Sequence, residues 1–180
     1  MINRTKKNDN KEGGSDMAKV TDVARFFIDV AQKQEENYCG DLMTDLRLQK
    51  LLYFAQGWHL ARFGKPLFHN AIEAWTYGPV VPEIYQLYKD NGRRGITEET
   101  PVALSAFSAD EYALLLDVMR EYDAYSTFAL VELTHAADSP WACTPQSSTI
   151  PPNTIQRYFA EKKPLSSFDD MLERLPVDDV

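Results

Sequence analysis

Residues 44–63, TDLRLQKLLYFAQGWHLARF, decide how this chain folds. Leu48, Leu51, Leu52, Ala55 and Trp58 or His59 recur at the spacing of one helical face, while Leu46, Phe54 and Leu60 carry apolar surface round to the other sides. A helix that is apolar over most of its circumference must be enclosed by its neighbours, so it is expected at the centre of its domain. Its limits are equally legible. Thr44 can accept a free amide of the first turn, Gly64 tolerates the left-handed conformation that ends a helix, and Pro66 cannot prolong it.

Upstream, Val23, Phe27, Val30 and Ala31 predict a first helix, capped by Thr21, with Asp22 at the positive end of the dipole and a stop near Lys33 to Glu36. Before it, residues 1–16 mix Lys, Asn, Asp and Gly with almost nothing to bury, so a disordered polar tail is expected there. Met17 opens the apolar pattern, which leaves Met1 and Met17 both open as starts of translation. Downstream, Ile72 to Tyr77 alternates in the manner of a short strand, which Gly78-Pro79-Val80-Val81-Pro82 is expected to break. Pro82 should then begin a helix that buries Ile84, Leu87 and Tyr88 and ends at Asn91-Gly92. A partner strand for residues 72–77 is sought within Ile96 to Leu104, completing a small β-hairpin.

Ser108 and Glu111 have capping-box spacing, with Phe107 and Tyr112 as a staple, and the helix they start should turn Tyr112, Leu115, Leu116, Met119 and Tyr122 inward. Ser126 caps a fifth helix through Leu133, Ser139-Pro140-Trp141 starts another turn, and a last helix around Thr154 to Ala160 carries Ile155, Tyr158 and Phe159. The fold class is therefore mainly α: a compact helical domain around a central buried helix, with a small β-hairpin. It should occupy residues 17–163, between the tail and an acidic C-terminal segment at 164–180 that frays, although Phe168, Met171 and Leu172 offer apolar groups for docking.

With 27 acids, 19 bases and 44% apolar residues in 180, the composition fits one globular domain. The first sixteen residues hold four bases and three acids, which leaves 15 bases against 24 acids in the body. A body of charge −9 repels phosphate backbones, so nucleic acid is disfavoured and a protein partner, a basic one above all, is favoured. Cys39 and Cys143 read as free thiols in a reducing compartment. The polar start lacks the apolar stretch of a signal peptide, and no run of about 18 apolar residues spans a bilayer, so a cytoplasmic protein without membrane association is expected.

The residues offer little for catalysis. His59, His69 and His135 form no close metal-binding pair, and neither a metal nor a cofactor is expected. His59 reads as a polar group at the edge of a buried helix face. His135, Asp138 and Ser139 have the look of a Ser/His/Asp set but no nucleophile elbow, and a helix end whose His and Ser satisfy main-chain groups explains them as well. Cys39 has no basic neighbour to activate it. Neither Gly13-Gly14 nor Gly92-Arg93-Arg94-Gly95 has the spacing of a phosphate cradle. More informative is the aromatic crowding of Trp75, Tyr77, Tyr85 and Tyr88 around a proline-stiffened turn, because Trp and Tyr dominate binding hot spots. Alternation puts Glu73, Trp75 and Tyr77 on one face and Ile72, Ala74 and Thr76 on the other; whichever set looks away from the helices is available to a partner.

The run Leu48-Gln49-Lys50-Leu51-Leu52-Tyr53-Phe54-Ala55-Gln56-Gly57-Trp58-His59-Leu60, then Gly64-Lys65-Pro66-Leu67-Phe68, then Glu73-Ala74-Trp75-Thr76-Tyr77-Gly78-Pro79-Val80-Val81-Pro82, resembles the Panacea domain, a family also described as SocA-like antitoxins or phage-associated proteins of the GepA kind. Glu132-Leu133-Thr134-His135 and Asp138-Ser139-Pro140-Trp141 resemble its second block at the expected distance. The likeness extends over about residues 18–160 and departs in the tail and the acidic end. It implies a mostly helical bacterial or prophage domain that neutralises a toxin encoded beside it. Some members also deliver the toxin to the Clp protease as adaptors, an activity that need not carry over. Trp75, Tyr77, Glu73, Tyr85 and Trp141 are the partner-binding candidates, and a small hydrolase built on His135 and Ser139 is the rival reading.

Overall fold

The computed structural model describes residues 17–35, 43–97 and 101–166. Its elements are α1 (Val20–Glu35), α2 (Asp45–Phe63), β1 (Glu73–Trp75), β2 (Gly78–Val80), α3 (Pro82–Tyr88), α4 (Ala109–Asp123), α5 (Thr127–Thr134) and α6 (Pro152–Ala160), with 3-10 turns at Lys89–Asn91 and Leu104–Ala106. The expected tail, Cys39 and the acidic end beyond Ser166 lie outside the described residues.

Helix α2 is the axis on which α1, α3, α4, α5, α6 and β2 all pack. Every residue from Arg47 to Leu60 is buried, as its all-round apolar surface predicts. Thr44 accepts the amide of Arg47 at 3.3 Å, and Gly64 ends the helix at φ +71° with its N–H on Leu60 O. The closest approach is to α6. Gly57 has no side chain because the ring of Phe159 stands where its Cβ would be, and that ring meets Tyr53 and Trp58 edge-on.

The same helix carries polar groups that cannot reach water, and each fastens a different part of the chain. Arg47 donates to the carbonyls of Tyr122, Asp123 and Tyr125 at the C-terminal end of α4, where the dipole favours a cation. Gln56 accepts from the amide of Leu67 and donates to Phe68 O. His59 Nδ1 lies 2.7 Å from Lys65 O, so that nitrogen carries the proton; the residue is wholly buried rather than at an edge, and burial lowers its pKa.

Several expectations need correction. Helix α1 begins at Val20, with Lys19 O accepting from Val23 N, so Thr21 lies inside the first turn and is not the cap. Gly78 to Val80 does not break the strand. It is β2, antiparallel to β1 with Glu73 opposite Val80, Ala74 opposite Pro79 and Trp75 opposite Gly78. Ile96 instead gives its amide to Met43 O, and Leu104 lies in a 3-10 turn, so no partner strand forms among the described residues there. Leu87 is 59% exposed and Leu116 is exposed, because the inward faces of α3 and α4 are filled by Ile84 and by Leu114, Leu115, Val118, Met119 and Tyr122. The capping box of Ser108 and Glu111 is complete, and Phe107 and Tyr112 both set their rings edge-on to Phe26. Ser126 caps α5 through Ala129 N, and α6 buries Ile155 and Phe159.

Candidate functional site

The hairpin owes its rigidity to what holds its two short strands. On one side β1 exchanges main-chain bonds with residues 147–150: Ala74 N donates to Ser148 O, Ser147 N to Ala74 O, and Ile150 N to Ile72 O. That leaves β2 as an edge, which suits Pro79 because it lacks an N–H. The free groups of this edge are taken by α2, with Lys50 Nζ donating to Pro79 O at 2.8 Å and Gln49 Oε1 accepting from Val81 N at 2.8 Å. Gly78 follows the two turn residues at φ +101°, and a Cβ there would meet Thr134 Oγ1 at 2.7 Å and Lys50 Nζ at 2.8 Å. Conformation and space both require glycine.

Lys50 is fully buried, and loss of hydration brings its pKa down to about 7 against the opposing attraction of Asp45. Asp45, in the first turn of α2, is pushed above the ordinary carboxylate range by burial, with Gln49 and Lys50 pulling the other way. Neither residue nor Gln49 is marked by periodicity as functional. The available signal is their polarity: hydrophilic side chains on a helix apolar all round must be buried, and buried polar groups need partners.

Of the sequence candidates, Ile72 and Ala74 are buried, Glu73 and Trp75 are half-buried and Tyr77 is 70% exposed, so the Glu73/Trp75/Tyr77 set faces away from the core. Thr76 is already in the turn and exposed, held by Gln146 Nε2 on its hydroxyl. Trp75 donates its indole N–H to Glu73 Oε2 at 2.8 Å and meets Tyr85 of α3 edge-on at 4.9 Å. Trp141 lies behind the hairpin, its indole N–H on Trp75 O at 2.7 Å and its ring against His135. The five candidates therefore form one neighbourhood. Trp75, Tyr77 and Tyr85, with Asp45, Gln49 and Lys89, line a cavity of about 660 Å³ between the start of α2, the hairpin and α3. Away from this cavity, Phe128 of α5 is 77% exposed, a direction that one aromatic on a short helix does not reveal in the sequence.

At the end of α5 the Ser/His/Asp look has a local explanation. Ser139 Oγ is buried, donates to Thr134 O and accepts from Ala142 N, while His135 Nδ1 faces Val131 O at 2.7 Å. No hydrogen bond joins Asp138, His135 and Ser139 side chains among the described residues. No cluster of three His, Cys, Asp or Glu suited to a metal occurs among those residues, and no helix among them is long and apolar enough to cross a membrane.

A chain with this buried helix and its braced, aromatic hairpin falls in an antitoxin family. The family model described as "Antitoxin SocA-like, Panacea domain" matches residues 48–142, just over half of the chain, and the chain belongs to that family. It is also similar to Antitoxin SocA of Caulobacter vibrioides (strain NA1000 / CB15N), at 31% identity over 112 residues. That alignment takes in 55% of this chain and 58% of the relative, so the chain spans less than two thirds of the relative's length. No solved structure matches.

Proposed function

We propose that this protein is an antitoxin that neutralises a cognate toxin of a bacterial or prophage system by direct, stoichiometric binding, through a surface that includes the unit from Trp75 to Tyr85. The family supports the antitoxin role. One observation supports the surface: Tyr77 stands 70% exposed on a turn fixed by its neighbours, beside the half-buried rings of Trp75 and Tyr85. An aromatic anchor on a backbone already held in place loses less freedom on binding, and Glu73 on the same face favours a basic partner. Trp141 has its indole on Trp75 O and in this reading positions the hairpin rather than touching the toxin.

The product of the neighbouring toxin-like reading frame is the partner to test. Tyr77→Ala and Tyr85→Ala, in protein that melts normally, should each weaken its binding by about 1 kcal/mol or more. Unchanged affinity in both variants would move the interface elsewhere. Blocking by binding alone should also rescue growth in a host lacking the Clp protease; rescue that requires the protease would replace blocking with an adaptor role. The hydrolase reading has weaker support, since Ser139 Oγ and His135 Nδ1 are both engaged with main-chain carbonyls. A hydrolytic activity abolished in His135→Ala/Ser139→Ala without loss of folding would favour it.

A further inference from the structure

The cavity beside the hairpin has walls and a floor of unlike chemistry. Trp75, Tyr77 and Tyr85 supply aromatic walls, and Asp45 is the carboxylate among its lining residues. Asp45 is only 8% exposed, and among the described residues its one hydrogen bond comes from Gln49 Nε2 to Oδ1, at 3.0 Å. Oδ2 has no donor. A carboxylate so placed has lost most of its hydration without gaining a full set of donors, which is why its pKa is raised. An anion entering the cavity would meet that charge at close range, and an apolar group would dehydrate it further. A cation would supply what Oδ2 lacks, and aromatic faces attract cations.

We propose that this cavity receives a guanidinium group, an arginine side chain presented by the toxin, which lies against the aromatic walls and donates to Asp45 Oδ2. This rests on the reading of the hairpin as the toxin-binding surface. Arginine fits better than lysine because its planar fork stacks on rings while donating to a carboxylate in its own plane. The rim is already fixed. Ser147 holds φ +60°, a left-handed conformation unfavourable for serine, and keeps it through its amide on Ala74 O, while Gln146 holds Thr76. Two cations bear on the site: Lys50, buried and attracted to Asp45, gives its hydrogen bond to Pro79 O and not to the carboxylate, while Lys89 is exposed on a flexible arm and keeps its ammonium in water. The acidic excess of the whole chain, −8, adds long-range attraction for a basic partner.

The full chain can be titrated with N-acetyl-arginine amide and with the uncharged isostere N-acetyl-citrulline amide, following the Trp75 indole N–H by NMR. Arginine amide should give a saturable shift with a dissociation constant on the order of 1–20 mM, the range expected of a single buried cation contact. Citrulline amide should bind at least ~10-fold more weakly, and Asp45→Asn, which can still bond Gln49, should weaken arginine amide by a similar factor. Equal binding of the two amides, undiminished binding in an Asp45→Asn protein of normal melting temperature, or no saturable shift up to about 100 mM would overturn the proposal. If arginine amide is silent while toxin capture still depends on Tyr77, only the guanidinium site falls. If arginine amide binds but toxin capture ignores Tyr77→Ala, the hairpin surface falls and with it the assignment of this cavity to the toxin.

Discussion

Lys50 shows how much one side chain can couple. It has no exposed surface, it closes the hairpin edge through Pro79 O, and its ammonium lies where a side chain at Gly78 would collide with it. Its folded pKa of about 7 lies below the 10.5 of the free group, so between those values the unfolded chain holds a proton that the folded chain has released. Stability from this group is therefore lowest below pH 7 and rises as pH climbs from about 7 towards 10.5. Asp45 is the charged neighbour that offsets part of the effect. Urea unfolding of the wild type and of Lys50→Met at several pH values should give a difference that moves in favour of the wild type across that window; a constant difference would mean that Lys50 keeps its charge in the fold. Tyr53 and Tyr122 make a second contrast. Tyr53 Oη is buried without a partner among the described residues, whereas Tyr122 Oη accepts the indole N–H of Trp58 at 3.0 Å. Tyr53→Phe should be neutral or stabilising by up to about 1 kcal/mol, and Tyr122→Phe should cost about 1 kcal/mol or more by stranding that N–H. Chemical denaturation separates the two, and equal losses would refute the assignment.

Among the elements, those with local signals were legible and those made by tertiary contact were not. Thr44 and Gly64 framed α2, and Ser108 with Glu111 framed α4, because caps act within one turn of the residue that makes them. β2 could not be read in the same way. Gly78-Pro79-Val80 has the composition of a breaker, and it becomes a strand by pairing with β1 while Lys50 takes up Pro79 O and Gln49 the adjoining Val81 N. The candidate site divides similarly. Alternation identified Glu73, Trp75 and Tyr77 as one face, but Asp45 and Lys50 acquire their roles only when α2 is packed against the hairpin. Gly57 is another case where space decides. Its replacement by alanine would favour an isolated helix by about 1 kcal/mol, yet a methyl there would run into the Phe159 ring. Overpacking of this kind typically costs about 1–3 kcal/mol, so Gly57→Ala should lower stability, and Gly57→Ala/Phe159→Leu should recover part of the loss. A stabilised Gly57→Ala would mean that α6 can shift away freely.

At the scale of the whole molecule, the proposed capture divides into an encounter guided by charge and a retention that rests on the hairpin. The body carries −9, whereas the first sixteen residues carry a net +1 and hold almost nothing apolar to bury. Under that proposal, long-range attraction to a basic toxin would come from the body, and removing residues 2–16 should leave the melting temperature unchanged within the range of an ordinary surface change, about 0.5 kcal/mol. Association through such a field speeds diffusional encounter and is screened by salt over about 10 Å at 0.1 M, but short contacts inside a closed interface are screened much less. Raising ionic strength from about 0.02 to 0.5 M should therefore slow association with the toxin by roughly 10-fold or more while changing dissociation little. Tyr77→Ala should do the reverse, speeding dissociation and leaving association nearly as it was, because an anchor acts after the partners have met. Stopped-flow mixing of both proteins at two salt concentrations, with the full chain, the deletion of residues 2–16 and Tyr77→Ala, separates these contributions. Association that ignores salt would remove the acidic body from recognition, and slower association in the deletion variant would give the tail a part in capture.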